Sequence, residues 1–204
     1  MSNRFEVEFK ELAEKRNRIG CAVHQIECEA LFEAVLSTPP GDIVEVGSAW
    51  GGSTLYLAEA ALLTREKRVI SVDPYPEELE GTKQEIGWYQ KGMCARMKQS
   101  FKENVLDKYL NVEQYNTDIN GCIAKIPDGL SVVFIDGRHD GDYSRIDYEA
   151  LFPKIRVGGM MIMHDMCWLD PQGNGVGRVS PRIAPPTYRD IRIVGCMKMG
   201  TKII

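Results

Sequence analysis

"SVVFIDGRHDGDY", residues 131–143, opens as an apolar, β-branched run and stops abruptly at Asp136. Gly137, Arg138, His139, Asp140 and Asp142 follow closely, more ionisable groups than a plain turn requires. "GGMMIMHDM", residues 158–166, repeats the device: an apolar run ends at His164 and Asp165, 28 and 29 residues beyond Asp136. A short continuous apolar run of this kind reads as a strand buried on both faces, the pattern of a parallel sheet. Ligands of such sheets bind beyond the carboxyl ends of the strands, so the two acidic ends are expected to share one crevice.

Outward from this pair, strands and helices alternate. Phe5, Phe9 and Leu12 suggest a short amphipathic helix, and a second helix is expected over about residues 22–37, stopped by "TPPGD". "DIVEVG" (42–47), "RVISVD" (68–73), "NVEQYN" (111–116), "SVVFID" and "GGMMIMHD" read as strands. "GGSTLYLAEAALL", "QSFKENVLDKYL" and "DYSRIDYEALF" read as helices between them. Such alternation means right-handed βαβ crossovers. At the C-terminus "DIRIVG" and "MKMGTKII" adjoin with no helix between, so they must pair antiparallel. The expected fold is α/β, a Rossmann-like doubly wound, mostly parallel seven-stranded sheet finished by an antiparallel hairpin. One domain over 1–204 is expected: helices in 1–38, a core at 40–165, a loop at 166–188 and the hairpin at 189–204.

The 204 residues carry a formal net charge of -4, which argues against a general binder of nucleic acid or anionic membrane. Six scattered cysteines with no Cys-x-x-Cys pair, beside three histidines, argue against structural zinc. Cys122 and Cys196 read as small buried hydrophobes. The charged N-terminus has no apolar signal core and no stretch is long enough to span a bilayer, so a reducing cytoplasm is expected.

The first strand runs into "EVGSAWGGST", residues 45–54. Gly47 allows a positive φ, and Gly51 and Gly52 allow close backbone approach where a helix begins and offers amides to an anion. Asp73, 26 residues after Gly47, lies where an acid bonds a ribose diol. A dinucleotide fingerprint would need glycine where Ala49 stands, which favours a cofactor without a pyrophosphate. Ser53 could equally start the helix, and Asp118 or Asp73 could be turn residues.

Taken together, "IVEVGSAWGGSTLYLA", "VISVDPY", "YNTD" and "FIDGRHDGDYSRIDYEALFPKIRVGGMMIMHD" resemble the class I S-adenosylmethionine-dependent methyltransferases. The likeness is to the group of macrocin O-methyltransferase-like and cephalosporin-hydroxylase-like proteins, over about residues 40–165. It implies S-adenosylmethionine as cofactor. Glu45, Gly47, Ser48, Gly51, Gly52, Ser53 and Thr54 would line its methionine half, Asp73 would hold the ribose, and Asp118 would sit near the adenine amine. Asp136 would shape the same pocket and join the catalysis.

The resemblance makes His139 the base that takes a proton from an acceptor hydroxyl as the methyl group moves. Near pH 7 a neutral imidazole suits that task. Asp136, His164 and Asp165 form a candidate metal set for Mg²⁺ or Mn²⁺. Related metal-dependent enzymes use mostly oxygen donors, and the nitrogen of His164 shifts preference from Mg²⁺ toward Mn²⁺, Fe²⁺ or Zn²⁺. The bland alternative is a loop histidine beside a surface ion-pair set of Arg138 with Asp140 or Asp142. His24, in an N-terminal helix, reads as structural. Long segments after Asp73 and Asp165 read as lids, with Trp88, Tyr89, Met93 and Trp168 as candidate acceptor contacts. The implied activity is methylation of a small-molecule acceptor carrying a hydroxyl, such as a sugar or natural-product intermediate, and a homo-oligomer is compatible with it. The alternatives are an NAD(P)-dependent oxidoreductase, against which Ala49 and the lack of a Tyr-x-x-x-Lys pair count, and a non-catalytic cofactor-binding module.

Overall fold

Each apolar run becomes a strand because its alternate residues serve opposite faces of one sheet. The computed structural model describes residues 2–64, 67–77, 90–139 and 142–204, with residues 2–8 as backbone alone. Helices α1 (Ser2–Ile19) and α2 (Gln25–Ser37) precede β1 (Ile43–Val46), α3 (Gly52–Thr64) and β2 (Val69–Val72). Helix α4 (Met93–Phe101) runs into a π-helical turn at Lys102–Leu106 and then β3 (Val112–Tyr115). There follow α5 (Ile119–Cys122), β4 (Leu130–Ile135), α6 (Tyr143–Leu151), β5 (Ile155–Met163), α7 (Val176–Val179) and the hairpin of β6 (Tyr188–Val194) and β7 (Met197–Lys202).

The sheet order is β3-β2-β1-β4-β5-β7-β6. Strands β1 to β5 are mutually parallel, and β7 is antiparallel to both β5 and β6. The expected doubly wound sheet with a terminal hairpin is therefore observed. Val132 and Phe134 of β4 join the core under α1 to α4, whereas Val133 and Ile135 join the core under α5 to α7. All four are fully buried or nearly so, and burying such side chains contributes about 1.5–3 kcal/mol each. Helix α2 ends where the prolines were expected to stop it. The ammonium of buried Lys67 closes that end, donating to the Thr38 carbonyl at 2.9 Å and to the Val35 carbonyl.

One local expectation changes. Cys122 is buried, but Cys196 is exposed, because it occupies the β6–β7 turn rather than a strand. The short helices α5 and α7 lacked a periodic apolar signature, one turn being too short to display a 3.6-residue repeat.

The order reverses between β1 and β4, which is where a doubly wound sheet opens a crevice. There the two strand ends come very close. Gly47 has φ +85°, and a Cβ on it would lie 2.3 Å from the Asp136 carbonyl oxygen. A Gly47→Ala variant is expected to lose about 3 kcal/mol or more of unfolding free energy, since strain and a backbone clash add. Urea denaturation of the two proteins checks it; equal midpoints would refute the crowding.

Candidate active site

The glycine turn is held by one carboxylate. Asp73, at the end of β2, accepts the Ser48 and Ala49 amides on Oδ2 at 3.0 and 2.9 Å, and the Tyr75 amide on Oδ1 at 2.8 Å. This bracing is what keeps Ala49 at φ +44°, a conformation that costs a residue with a Cβ. The Ser71 hydroxyl meets that of Ser48 at 2.8 Å, and the Tyr75 hydroxyl donates to the Ala49 carbonyl at 3.2 Å. Burial pushes the Asp73 carboxyl up, against the three amides that pull it down.

Beneath the turn lies Glu45, fully buried in β1. The Ser53 and Thr54 hydroxyls donate to its two oxygens, each at 2.5 Å. Burial pushes Glu45 up to about 8, offset in part by those hydroxyls and reinforced by the charge of Asp136. Glu45 thus supports the start of α3 from below.

A cavity of about 920 Å³ opens above the strand ends. Gly47, Ser48, Gly52, Ser53, Asp73, Asp118, Asp136, His139, His164 and Asp165 all line it, whereas Glu45, Gly51 and Thr54 stand behind its wall. Asp118 does double duty. It caps α5, accepting the Gly121 amide at 2.9 Å, and also faces the cavity. Met93 and Trp168 are on the wall as expected; Trp88, Tyr89 and Asp140 lie outside the described residues. Residues 20–23, between α1 and α2, also line the cavity. A five-residue connection of no special composition, residues 20–24, carried no signal of this.

At the other end the two acidic strand ends meet, because Ile135 pairs with Met163 in the ladder. His139 Nε2 lies 3.2 Å from Asp165 Oδ2 and 3.6 Å from Asp136 Oδ1. Its ring packs 5.7 Å from that of Trp168. His164 sits deeper. Its Nδ1 is 3.1 Å from Asp136 and 3.4 Å from Asp165, ion pairs rather than aligned hydrogen bonds. Its Nε2 is 3.1 Å from Oε2 of Glu27, a fully buried acid on α2. Burial works against charge on His164, but Asp136 and Asp165 outweigh it and raise the group to about 11.

The ligand geometry differs from the expected set. Atoms of Asp136, His139 and Asp165 lie within 4.8 Å of one another, while His164 stands behind the two acids with its other nitrogen held by Glu27. One nitrogen and two carboxylate oxygens suit Mn²⁺, Fe²⁺ or Zn²⁺ better than Mg²⁺, so the donors fit a divalent ion. Arg138 lies 4.3 Å over the Tyr143 ring, and Asp142 pairs with Arg145 at 3.0 Å.

These strand ends fall inside a recognised family. A family described as a methyltransferase domain matches residues 44–166. The chain belongs to that methyltransferase domain family. No curated protein matches it. Among solved structures, this methyltransferase domain is similar to the SAH-bound methyltransferase PaMTH1 of Podospora anserina, at 13% identity, TM-score 0.63, over 100% of this chain and 95% of that one. It is also similar to a putative caffeoyl-CoA O-methyltransferase from Staphylococcus aureus, at 15% identity, TM-score 0.63, over 98% and 93%. MycE of the mycinamycin biosynthetic pathway, solved with Mg, SAH and mycinamycin VI, matches at 15% identity and TM-score 0.60; the alignment covers 96% of this chain and 53% of MycE. At these identities the likeness is one of fold.

Glu27 is the residue that sequence reading missed in this methyltransferase domain. An acid at a helix start is ordinary, and nothing local shows that Oε1 takes the Cys196 amide at 2.6 Å while Oε2 takes the His24 amide at 2.8 Å. His24 is accordingly the N-cap of α2.

Two tests follow from these buried acids. Glu27→Ala removes the partner of two amides and a charged ring, and is expected to cost about 3–5 kcal/mol in chemical denaturation; a loss below 1 kcal/mol would contradict the geometry. For Glu45, folding raises the carboxyl from its ordinary value of 4.5 to about 8, so the folded chain holds the extra proton. Its contribution to stability therefore declines as pH rises through that window. The stability of wild type minus that of Glu45→Gln should fall by up to about 1.4 kcal/mol per pH unit between these limits. A difference independent of pH would show Glu45 to be ionised.

Proposed function

We propose that this domain takes a methyl group from S-adenosylmethionine and passes it to a hydroxyl oxygen of a small acceptor, of the sugar or natural-product kind. The observation that carries this reading is the continuous cavity joining the glycine turn to the His139–Asp165 pair. The turn supplies amides and hydroxyls for the methionine end, with Ser48, Gly52 and Ser53 on the wall. Asp73 stands at the level of the ribose and Asp118 near the base. Asp73 spends its oxygens partly on loop amides, yet a carboxylate accepts about four hydrogen bonds, which leaves capacity for a diol.

The transfer is an in-line displacement. A lone pair of the acceptor oxygen forms the new C–O bond as the C–S bond breaks, and that electron pair stays on sulfur. The hydroxyl proton goes to His139. Its Nε2 lies beside two acids, which favour the charged ring that forms. Asp165 then stabilises the imidazolium, as the orienting acid of a triad does. Holding acceptor and methyl carbon in line supplies much of the rate. Trp168 and Tyr143, on the cavity wall beside His139, contribute the acceptor side together with loop 166–188. The family match counts against a nicotinamide-dependent reaction.

A second reading is supported by the same cluster: Asp136, His139 and Asp165 would hold a divalent cation. When bound, such an ion orients neighbouring hydroxyls and lowers the pKa of the one that attacks. His139 would then be a ligand, and His164, backed by Glu27, would hold the two acids from the other side.

Calorimetric titration with S-adenosylhomocysteine and NADH, each with and without Mn²⁺, tests the reading. S-adenosylhomocysteine is expected to bind in the micromolar range and NADH not at all; the reverse would sink the methyl-transfer assignment. His139→Asn should keep the affinity for S-adenosylhomocysteine and lower methylation of hydroxylated sugars by about 10²–10⁴. Parallel loss of Mn²⁺ binding in that variant would favour the cation reading over the base.

A further inference from the structure

Asp147 is the one acid on the cavity wall whose place the foregoing chemistry does not explain. It lies in the middle of α6, only 7% exposed, in a helix whose neighbouring Tyr148 and Leu151 belong to the core. Burial and the charge of Asp118 are what act on its carboxyl, with no hydrogen bond to it from the described residues. A buried carboxyl without a partner costs free energy, and aspartate is a poor residue for a helix interior, so neither packing nor propensity accounts for it. Such local conflicts gather at binding sites, where a ligand supplies what the fold withholds.

Its position says which part of a ligand it meets. It lines the cavity beside the bare Gly137, where an added Cβ would be 3.8 Å from its Oδ2. The charge it feels is that of Asp118, the cap of α5. The glycine turn takes the methionine end, and the His139 cluster takes the reacting end. The stretch between Asp118, Ile119 and Tyr75 is what remains for a flat heterocycle, with apolar faces and acids at its edge.

We propose that Asp147 recognises the adenine base of the cofactor, its carboxyl pairing with the edge formed by the N6 amine and an adjacent ring nitrogen. The assignment rests on the S-adenosylmethionine reading above. Adenine offers a donor beside an acceptor, and a carboxylic acid in its neutral form offers the complementary acceptor beside a donor. Burial and the Asp118 charge push Asp147 up to about 7, which keeps that form populated near neutrality. An asparagine side chain presents the same pair of groups and makes this bidentate contact with adenine elsewhere. Leucine has the same number of side-chain heavy atoms and neither group.

The experiment compares wild type, Asp147→Asn and Asp147→Leu by titration with S-adenosylhomocysteine and with its 6-deamino analogue, alongside thermal unfolding of each protein without ligand. Wild type and Asp147→Asn should bind S-adenosylhomocysteine within about threefold of each other, and Asp147→Leu more than tenfold more weakly. Wild type should disfavour the 6-deamino analogue more than tenfold, while Asp147→Leu should bind the two ligands alike. Without ligand, Asp147→Leu should unfold at or above the wild-type temperature, because an unpartnered acid has been removed. Equal binding by Asp147→Leu and wild type would overturn the proposal, as would equal binding of both ligands by wild type. A lower unfolding temperature for Asp147→Leu would make the residue structural. If wild type fails to bind S-adenosylhomocysteine at all, the cofactor reading falls and this assignment with it, a result distinct from failure of the variant alone.

Discussion

The site depends on a row of ladder hydrogen bonds that each run one residue past a strand end. The Gly47 amide donates to the Val72 carbonyl, Asp73 to Tyr115, Asp136 to Val46 and His164 to Ile135, at 2.8–3.1 Å. Each candidate residue thus forms the last rung of its strand on the neighbour before it. Parallel register brings the four ends to one level, and the reversal between β1 and β4 leaves the space above them open. The cavity is a consequence of that register, not of a loop that happens to fold over it.

Around the row, the structure spends buried polar groups on orientation. Asp73 fixes the glycine turn through backbone amides, and Glu45 anchors the first turn of α3 through two hydroxyls. Glu27 joins the cap of α2, the β6–β7 turn and His164 in one buried carboxylate. Glu27 and Glu45 face the protein, Asp73 serves both the turn and the cavity, and the acids of the His139 cluster face the cavity. The division sets the candidate groups on a rigid frame: the side chains that face the cavity are carried by buried polar groups held in place from below.

The acidic cluster illustrates how a motif conceals its own geometry. Asp136, His139, His164 and Asp165 were all visible as candidates, since apolar strands ending in ionisable groups are conspicuous. Both histidines meet the two acids, and that His164 is held by Glu27 as well was not visible. His164 follows β5 directly and is drawn under the sheet edge to Glu27, whereas His139, three residues beyond β4, turns back over Asp136 and Asp165. Residues on a strand take their side from the pleat; residues after it take theirs from the turn. Asp147 lies within the same string, yet a lone acid in a helix resembles every solvated one until its burial is known.

The sequence by itself determined the sheet, its alternation with helices, the terminal hairpin and the level at which the candidate residues lie. Period-two and continuous apolar runs bounded by glycine and acid are local signals, and local signals survive without coordinates. Only the tertiary structure decided the partners. Glu27 with Cys196, 169 residues apart, and residues 20–23 on the cavity wall are contacts between distant segments. Such contacts are set by packing of whole elements across the sheet, and no spacing along the chain encodes them.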